Sequence, residues 1–381
     1  MYFTEILMET QVPNQPISEE TSRRITSLRF LLAVLVVFIH NNFTAESIAK
    51  TFEETGRTIP FCQNAFGQWV QLFISGGIAR CAVPLFFLFA AFLQGVKNDP
   101  YPVLLKKKAK SLALPYALWM AVYVLYFGVL KLVVAKIAPQ VLAHPDKTML
   151  TMTMRDWAES LIGFYSGTGD GNPRFAMQFW FVRDLMIFTA VSPVLIKLIR
   201  KFPVGVFFCA SVFYLSASIS FDAHANYSVF FYIVGLYWGI FNFALFEKID
   251  TIGWAETLCL FAATFVLSAV VPSRLSGCCA TLSACLLLLK FSALISNSQK
   301  TFFVADYFSG FSFFLYAIHM PVLNELLKKL WLRFFPMTNT FFSLFEYFGV
   351  SVLTVAIGTG IGIALKKICP PLFSLLNGGR K

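Results

Sequence analysis

Long apolar runs alternate along this chain with short polar or proline-containing breaks. A helix needs roughly 20 apolar residues to cross about 30 Å of hydrocarbon. Ten runs approach that length: 25–43, 69–96, 111–137, 177–199, 203–221, 228–246, 251–271, 279–296, 303–327 and 341–365. The fifth is short, and the ninth is long with Pro321 inside it. No internal repeat recurs, and no Gly-, Ser- or Pro-rich linker divides the chain. The pattern predicts an all-α integral membrane protein, a single bundle of about ten transmembrane helices. A polar segment (1–21) precedes the bundle (22–367), and a short tail (368–381) follows it.

Composition narrows the class. Of 381 residues, 57% are hydrophobic and 13% charged, against about 25% charged in a soluble domain. A soluble enzyme, a disordered scaffold and a disulfide-rich module are excluded. The net charge of +11 is spread between the apolar runs, which speaks for topology and against a nucleic-acid patch. With the N-terminus inside, sixteen lysines and arginines fall on the cytoplasmic side and nine outside. Several of the nine sit in long loops, which weigh least in this rule, so both termini are expected in the cytoplasm. The opening residues (Glu5, Glu9, Gln11, Asn14, Glu19, Glu20) do not resemble a cleavable signal, and the first apolar run is expected to stay as an anchor. The eight cysteines follow no metal-ligand spacing, and no metal constellation appears. Six lie in or beside apolar runs, while Cys62 and Cys278 fall near outer segments, where a bridge stays open.

Ionisable groups inside spans are costly and are functional candidates by default. Lys131, Lys136 and Lys290 lie near helix ends, where long side chains snorkel to the interface. Arg29, His40, Arg80, Arg183, Asp184 and His319 do not fit that description. Arg29 and His40 are eleven residues apart on the first helix. Eleven steps of about 100° return to within some 20° of the start over a rise of roughly 16 Å. Both side chains therefore share one face, with Arg29 inward and His40 outward.

Four blocks carry a family resemblance. They are Ser27-Leu28-Arg29 with His40; Val83-Pro84-Leu85-Phe86-Phe87-Leu88-Phe89, followed by a basic segment and Leu114-Pro115-Tyr116; Phe179-Trp180-Phe181-Val182-Arg183-Asp184-Leu185; and Phe313-Phe314-Leu315-Tyr316-Ala317-Ile318-His319-Met320-Pro321. Their order and spacing over residues 22–365 resemble the membrane-bound acyltransferase-3 family. Two departures stand out: Ala90-Ala91-Phe92 replaces the family's frequent Ser-Gly-Phe, and the basic segment is all lysine (Lys106, Lys107, Lys108, Lys110). Lysine meets phosphate as a point charge and not as a bidentate fork.

The resemblance implies transfer of an acyl group, usually acetyl, from cytoplasmic acyl-CoA to a hydroxyl or amine of an extracytoplasmic acceptor. Expected partners are the acyl-CoA co-substrate, an envelope glycan or lipid-linked sugar, and the bilayer, with no bound cofactor, metal or nucleic acid. The place implied is the cytoplasmic membrane of a bacterium. His40 is expected as general base, since neutral imidazole suits that role near pH 7, with Arg29 holding a carbonyl or an anionic part of the donor. Lys106, Lys107, Lys108 and Lys110 face the side where CoA phosphates enter. Arg80, Trp180, Arg183 and Tyr316 complete the expected substrate contacts. Asp184 would orient His40, and His319 is a second candidate base. Bland alternatives stand beside these: a structural ion pair between helices for Arg183 and Asp184, and an interhelical hydrogen bond for His319. His144 and His224 read as solvated loop residues. The loop 138–176, with Gly167-Thr168-Gly169-Asp170-Gly171-Asn172-Pro173, lacks the Lys-Ser/Thr of a phosphate loop and is expected to cover the acceptor. A transporter or flippase without acyl chemistry is the competing class, although the matched halves common in transporters are missing.

Overall fold

The computed structural model describes residues 17–43, 61–97, 99–137, 148–162, 175, 177–216 and 225–380. Its helices are α1 (Glu19–His40), α2 (Ala65–Lys97), α3 (Tyr101–Ile137), α4 (Met154–Ile162), α5 (Met177–Lys201), α6 (Pro203–Leu215), α7 (Ala225–Phe241), α8 (Leu245–Asp250), α9 (Trp254–Val270), α10 (Arg274–Ser296), α11 (Gln299–Ser309), α12 (Ser312–Phe334), α13 (Thr340–Ile368) and α14 (Pro370–Leu376). Among the described residues, β pairing is limited to one bridge, Phe61 with Met337. Among the described residues, each apolar run of the sequence falls largely on helix. By length and composition, five helices among the described residues can cross a membrane: α2, α3, α5, α10 and α13. The bent pair α11–α12, with 48° between its halves, would be a sixth. The remaining runs are shorter (α6, α7, α9) or, in α1, interrupted by Arg23, Arg24 and Arg29. The chain is a multi-pass helical membrane protein.

Two expected boundaries are corrected. The basic stretch Lys106–Lys110, read as a break before the third span, lies within α3, which runs on through a π-helical turn at Ala109–Ala113. The ninth span, read as one run over 303–327, is two helices that bend after Ser309. Pro321 makes a second break, because it has no N–H for the Ala317 carbonyl one turn earlier. Met320 adopts an extended conformation there (φ −124°, ψ 157°) within a π-helical turn at His319–Leu323. Cys62 is exposed, Cys278 is buried, and both are free thiols.

The scaffold is tightest where α2 meets α7. Gly235 and Gly239 on α7 lie four residues apart and face Leu88, Ala91, Phe92 and Gly95 of α2. A Cβ at Gly239 would come within 2.5 Å of the Phe92 carbonyl, and one at Gly235 would collide with Leu88. Small residues at this spacing let two helix backbones approach closely, which suits a bilayer where dispersion replaces the hydrophobic drive. Tyr232 seals the contact by donating to Gln94 Oε1 at 3.0 Å.

On the other side, α1 packs against α2, α10, α11 and α12. Its start is capped by Ser18, whose Oγ accepts from the Thr21 N–H at 3.1 Å, with Glu19 and Glu20 in the first turn where the helix dipole favours anions. Near this end Arg24 is fully enclosed. Its guanidinium donates to both Asp250 carboxylate oxygens (2.6 and 2.9 Å), to Ser292 Oγ (3.0 Å) and to the Leu289 carbonyl (3.2 Å), tying α1 to α8 and α10.

Candidate active site

The last turn of α1 and the break in α12 place two histidines side by side. The His40 and His319 rings are 5.2 Å apart between centroids. A helix end leaves carbonyls without intrahelical partners. Here the His40 carbonyl is taken by Lys328 Nζ at 2.7 Å and Asn324 Nδ2 at 3.3 Å, and a cation also suits the negative end of the helix dipole. Both donors belong to α12, so one element carries His319 and holds His40 in place.

His319 is fixed by the break beside it. The Ala317 and Met320 carbonyls, freed by Pro321 and the extended Met320, accept from Tyr123 Oη (2.8 Å each) and from Gln178 Nε2 (3.1 and 2.6 Å). The single Tyr123 hydroxyl proton, shared between the two carbonyls, and the two Gln178 amide protons thus hold the turn on which His319 sits from α3 and α5. Its Nδ1 lies 2.6 Å from the Tyr316 carbonyl, and a carbonyl only accepts, so Nδ1 carries the proton. Nε2 of the neutral ring is then a lone-pair nitrogen. It is buried and has no hydrogen-bond partner among the described residues, as is true of Gln178 Oε1. Buried polar atoms are seldom left unsatisfied, so these are the points that an arriving polar substrate can complete. The His40 ring likewise has no hydrogen bond among the described residues.

An aromatic row leads from the pair towards the other end of the bundle. Phe313, Tyr316 and His319 fall on one face of α12, with ring centroids 6.1 Å (Phe313–Tyr316) and 6.0 Å (Tyr316–His319) apart. Tyr316 is buried, donates through Oη to the Gln178 carbonyl, and meets Phe179 (5.8 Å) and Phe181 (5.9 Å) edge-on.

Of the expected site residues, His40, His319 and Tyr316 come together. Arg29 lies half-buried further along α1, within the field of Asp306 on α11. Asp184 accepts from Arg183 Nε (2.9 Å) and Nη2 (2.7 Å), both side chains being buried. The bland alternative was an ion pair between helices; the pair found joins two neighbours on α5, and Arg183 Nη1 also donates to the Ile162 carbonyl of α4 at 3.4 Å. Trp180 packs on Tyr227 (5.9 Å) and Phe87 (6.4 Å); Phe179 and Phe181 are the residues of that block that meet Tyr316, with Gln178 just before the block. Arg80 is exposed on a 3₁₀ turn within α2 and is not brought to the histidines. Lys106, Lys107 and Lys110 are exposed, and Lys107 pairs with Asp99 at 2.8 Å. Lys108 turns partly inward, because it shares a helix face with buried Leu104 and Leu112, four residues before and after it. His144, His224 and the Gly167–Pro173 stretch lie outside the described residues.

Sequence reasoning missed Gln178, Tyr123, Asn324 and Lys328, which build the site without belonging to a charged motif. It also missed Glu346 on α13, fully enclosed with neither carboxylate oxygen hydrogen-bonded among the described residues. A carboxylate in the middle of an apolar run was its available signal. No group of three or more His, Cys, Asp or Glu among the described residues is placed to hold a metal.

Comparison with known proteins identifies the family. No solved structure matches the chain. The succinoglycan biosynthesis protein ExoH of Rhizobium meliloti (strain 1021) is 23% identical over 376 residues, covering 94% of this chain and 92% of the relative. A family model described as an acyltransferase domain matches residues 23–363, which include the Arg29–His40 helix, the aromatic row and His319. The chain belongs to the acyltransferase-3 family of membrane acyltransferases.

Proposed function

We propose that the protein transfers an acyl group, most simply acetyl, from cytoplasmic acyl-CoA to a hydroxyl of an envelope glycan or its lipid-linked precursor, in the cytoplasmic membrane of a bacterium. The observation that carries the reading is the His40–His319 pair at one end of an aromatic row, with Arg29 and Lys108 towards the other. Membership of the family supports the chemistry. The likeness to a succinoglycan biosynthesis protein supports a polysaccharide acceptor.

In this reading both termini are cytoplasmic, about ten helices cross the bilayer, and the histidines open towards the outer side. The acceptor hydroxyl attacks the thioester carbonyl carbon while His40 removes its proton. The tetrahedral intermediate collapses with cleavage of the C–S bond, and the leaving thiolate takes up a proton to give free CoA. His319, with Nδ1–H committed to the Tyr316 carbonyl, offers Nε2 as acceptor to a neighbouring hydroxyl of the glycan and so aims the reacting one at His40. Arg29 holds the donor through its anionic part. Arg183 and Asp184 neutralise each other and keep the Phe181 turn in place beside Tyr316.

The test has two parts. Mass spectrometry of envelope glycans from cells with and without the protein is expected to reveal one acyl increment lost with it. Purified protein in proteoliposomes is expected to release free CoA thiol from acetyl-CoA only when glycan is supplied. A transporter or flippase would change the location of glycan without thiol release, and that result would replace this reading.

A further inference from the structure

Beyond α14 the backbone turns through Gly378 and Gly379, both left-handed at φ 68° and 71°. Residues with a Cβ seldom take this conformation. At Gly378 the chain also lies so close to the Ser111 carbonyl of α3 that a Cβ would collide with it. Asn377, fully enclosed, clamps the turn. Its Nδ2 donates to the Gly310 carbonyl at 2.8 Å and to the Arg380 carbonyl at 3.0 Å, while Arg380 Nη1 donates to the Asn377 carbonyl at 2.8 Å. Trp119 Nε1 holds the preceding turn through the Leu376 carbonyl at 3.0 Å. The tail is thereby folded back onto the bundle, and the Arg380 guanidinium lies 4.3 Å over the ring of Phe313, the first member of the row that ends at the histidines.

Other cations gather around this point. The charge of Arg29 acts on Arg380, and the charges of Arg380 and Lys97 act on Lys108. Burial first, and then Arg29, draw the Arg380 guanidinium down from its ordinary value to about 10, which leaves it charged at neutral pH. Among the described residues no ion pair joins Arg29, Lys108 or Arg380 to a carboxylate; Asp306 only lends its field to Arg29. Like charges brought together in a poorly solvated place repel unless an anion joins them. Four separate segments of the chain (α1, α2, α3 and the tail) contribute to this group, so chain proximity does not account for it.

We propose that Arg380, together with Arg29 and Lys108, forms an anion site at the foot of the aromatic row, and that the anion is a phosphate group of the acyl donor. The guanidinium supplies the planar fork that matches phosphate oxygens and that the all-lysine segment of α3 lacks. Arg380 is then the residue that sets donor register, with the thioester directed along Phe313 and Tyr316 to the histidines. The site rests on the acyl-CoA reading for the identity of its ligand, but it has a test of its own.

That test uses the full-length protein purified in nanodiscs. Adenosine 3′,5′-bisphosphate is titrated calorimetrically, and KM is measured for acetyl-CoA and for S-acetylpantetheine, which has no phosphate. Arg380→Ala is expected to abolish bisphosphate binding and to raise KM for acetyl-CoA by about tenfold or more, with KM for S-acetylpantetheine and both kcat values unchanged. Arg380→Lys should recover part of the loss. Gly378→Ala, which keeps the arginine but displaces its turn, should behave like Arg380→Ala. The inference is overturned if wild-type protein does not bind the bisphosphate, if Arg380→Ala binds it as wild type does, or if the variant raises KM for both thioesters alike, as a merely structural tail would. If wild-type protein turned over neither thioester, the donor reading would fall, and bisphosphate binding alone would decide the anion site.

Discussion

Arg24 and Arg29 stand five residues apart on α1, and the fold treats them in opposite ways. Arg24 is sealed from solvent and saturated: two carboxylate oxygens of Asp250, a serine hydroxyl, a backbone carbonyl, and the ring of Phe246 at 4.2 Å. Arg29 is half-buried and has no ion pair among the described residues, while Arg380 adds a like charge beside it. A buried charge whose donors are all used holds helices together. A partly enclosed charge with free donors is held ready for something that is not part of the chain. The same distinction separates the buried Arg183–Asp184 pair, whose arginine also donates to the Ile162 carbonyl at 3.4 Å, from His319, whose Nε2 is buried and open.

Substitutions should break this contrast in graded ways. Arg24→Ala should cost the most stability, about 3 kcal/mol, near the low end for a broken buried pair because the Asp250 side chain is 41% exposed and can rehydrate. Thermal unfolding in detergent should register the loss, and an unshifted midpoint would mean that Arg24 is not structural. Arg29→Ala should leave that midpoint in place and raise KM for acetyl-CoA by about ten- to a hundredfold. A destabilised Arg29→Ala protein with normal KM would reverse the assignment of the two arginines.

Smaller effects sharpen the comparison. Gln178→Ala leaves the Ala317 and Met320 carbonyls to Tyr123 alone, and about 1 kcal/mol should be lost; adding Tyr123→Phe should roughly double it. Activity should fall with both changes as the His319 turn loosens, which kcat on correctly folded protein would register. The smallest effect belongs to the exposed lysines. Lys106→Ala, Lys107→Ala and Lys110→Ala combined should leave donor KM unchanged, whereas Lys108→Ala alone should raise it. Equal effects from all four would return the donor contact to the whole basic stretch.

Helix positions were legible in the apolar runs because a membrane segment needs continuous hydrophobicity and little else. Helix joints were less so. The continuity of Lys106–Lys110 with α3 depends on a π-helical turn that keeps the helix running through a charged stretch. Likewise, the bend after Ser309 depends on contacts such as Asn377 with the Gly310 carbonyl, 67 residues away. In the site, His40 and His319 could be paired on the helical period and the family blocks, since both lie in recognisable motifs. Gln178, Tyr123 and Lys328 could not, because what they bind is backbone that only the folded α12 break and the α1 end expose. The Arg183–Asp184 contact needed no long-range signal, since two adjacent charges on one helix can pair locally. Arg380 was legible only as one more basic residue of a tail, although Gly378-Gly379 before it marked a turn able to reverse the chain.

The account stands most directly on the histidine pair. The measurement is acceptor-dependent CoA release by purified, correctly folded His40→Ala and His319→Ala proteins beside wild type. His40→Ala is expected to lose on the order of a hundred- to ten-thousandfold in rate, the usual cost of removing a general base, while His319→Ala retains a measurable part of the activity with a weakened response to acceptor. If His40→Ala kept more than about a tenth of the wild-type rate and His319→Ala did not, His319 would be the base. Full activity in both variants would contradict the histidine mechanism itself.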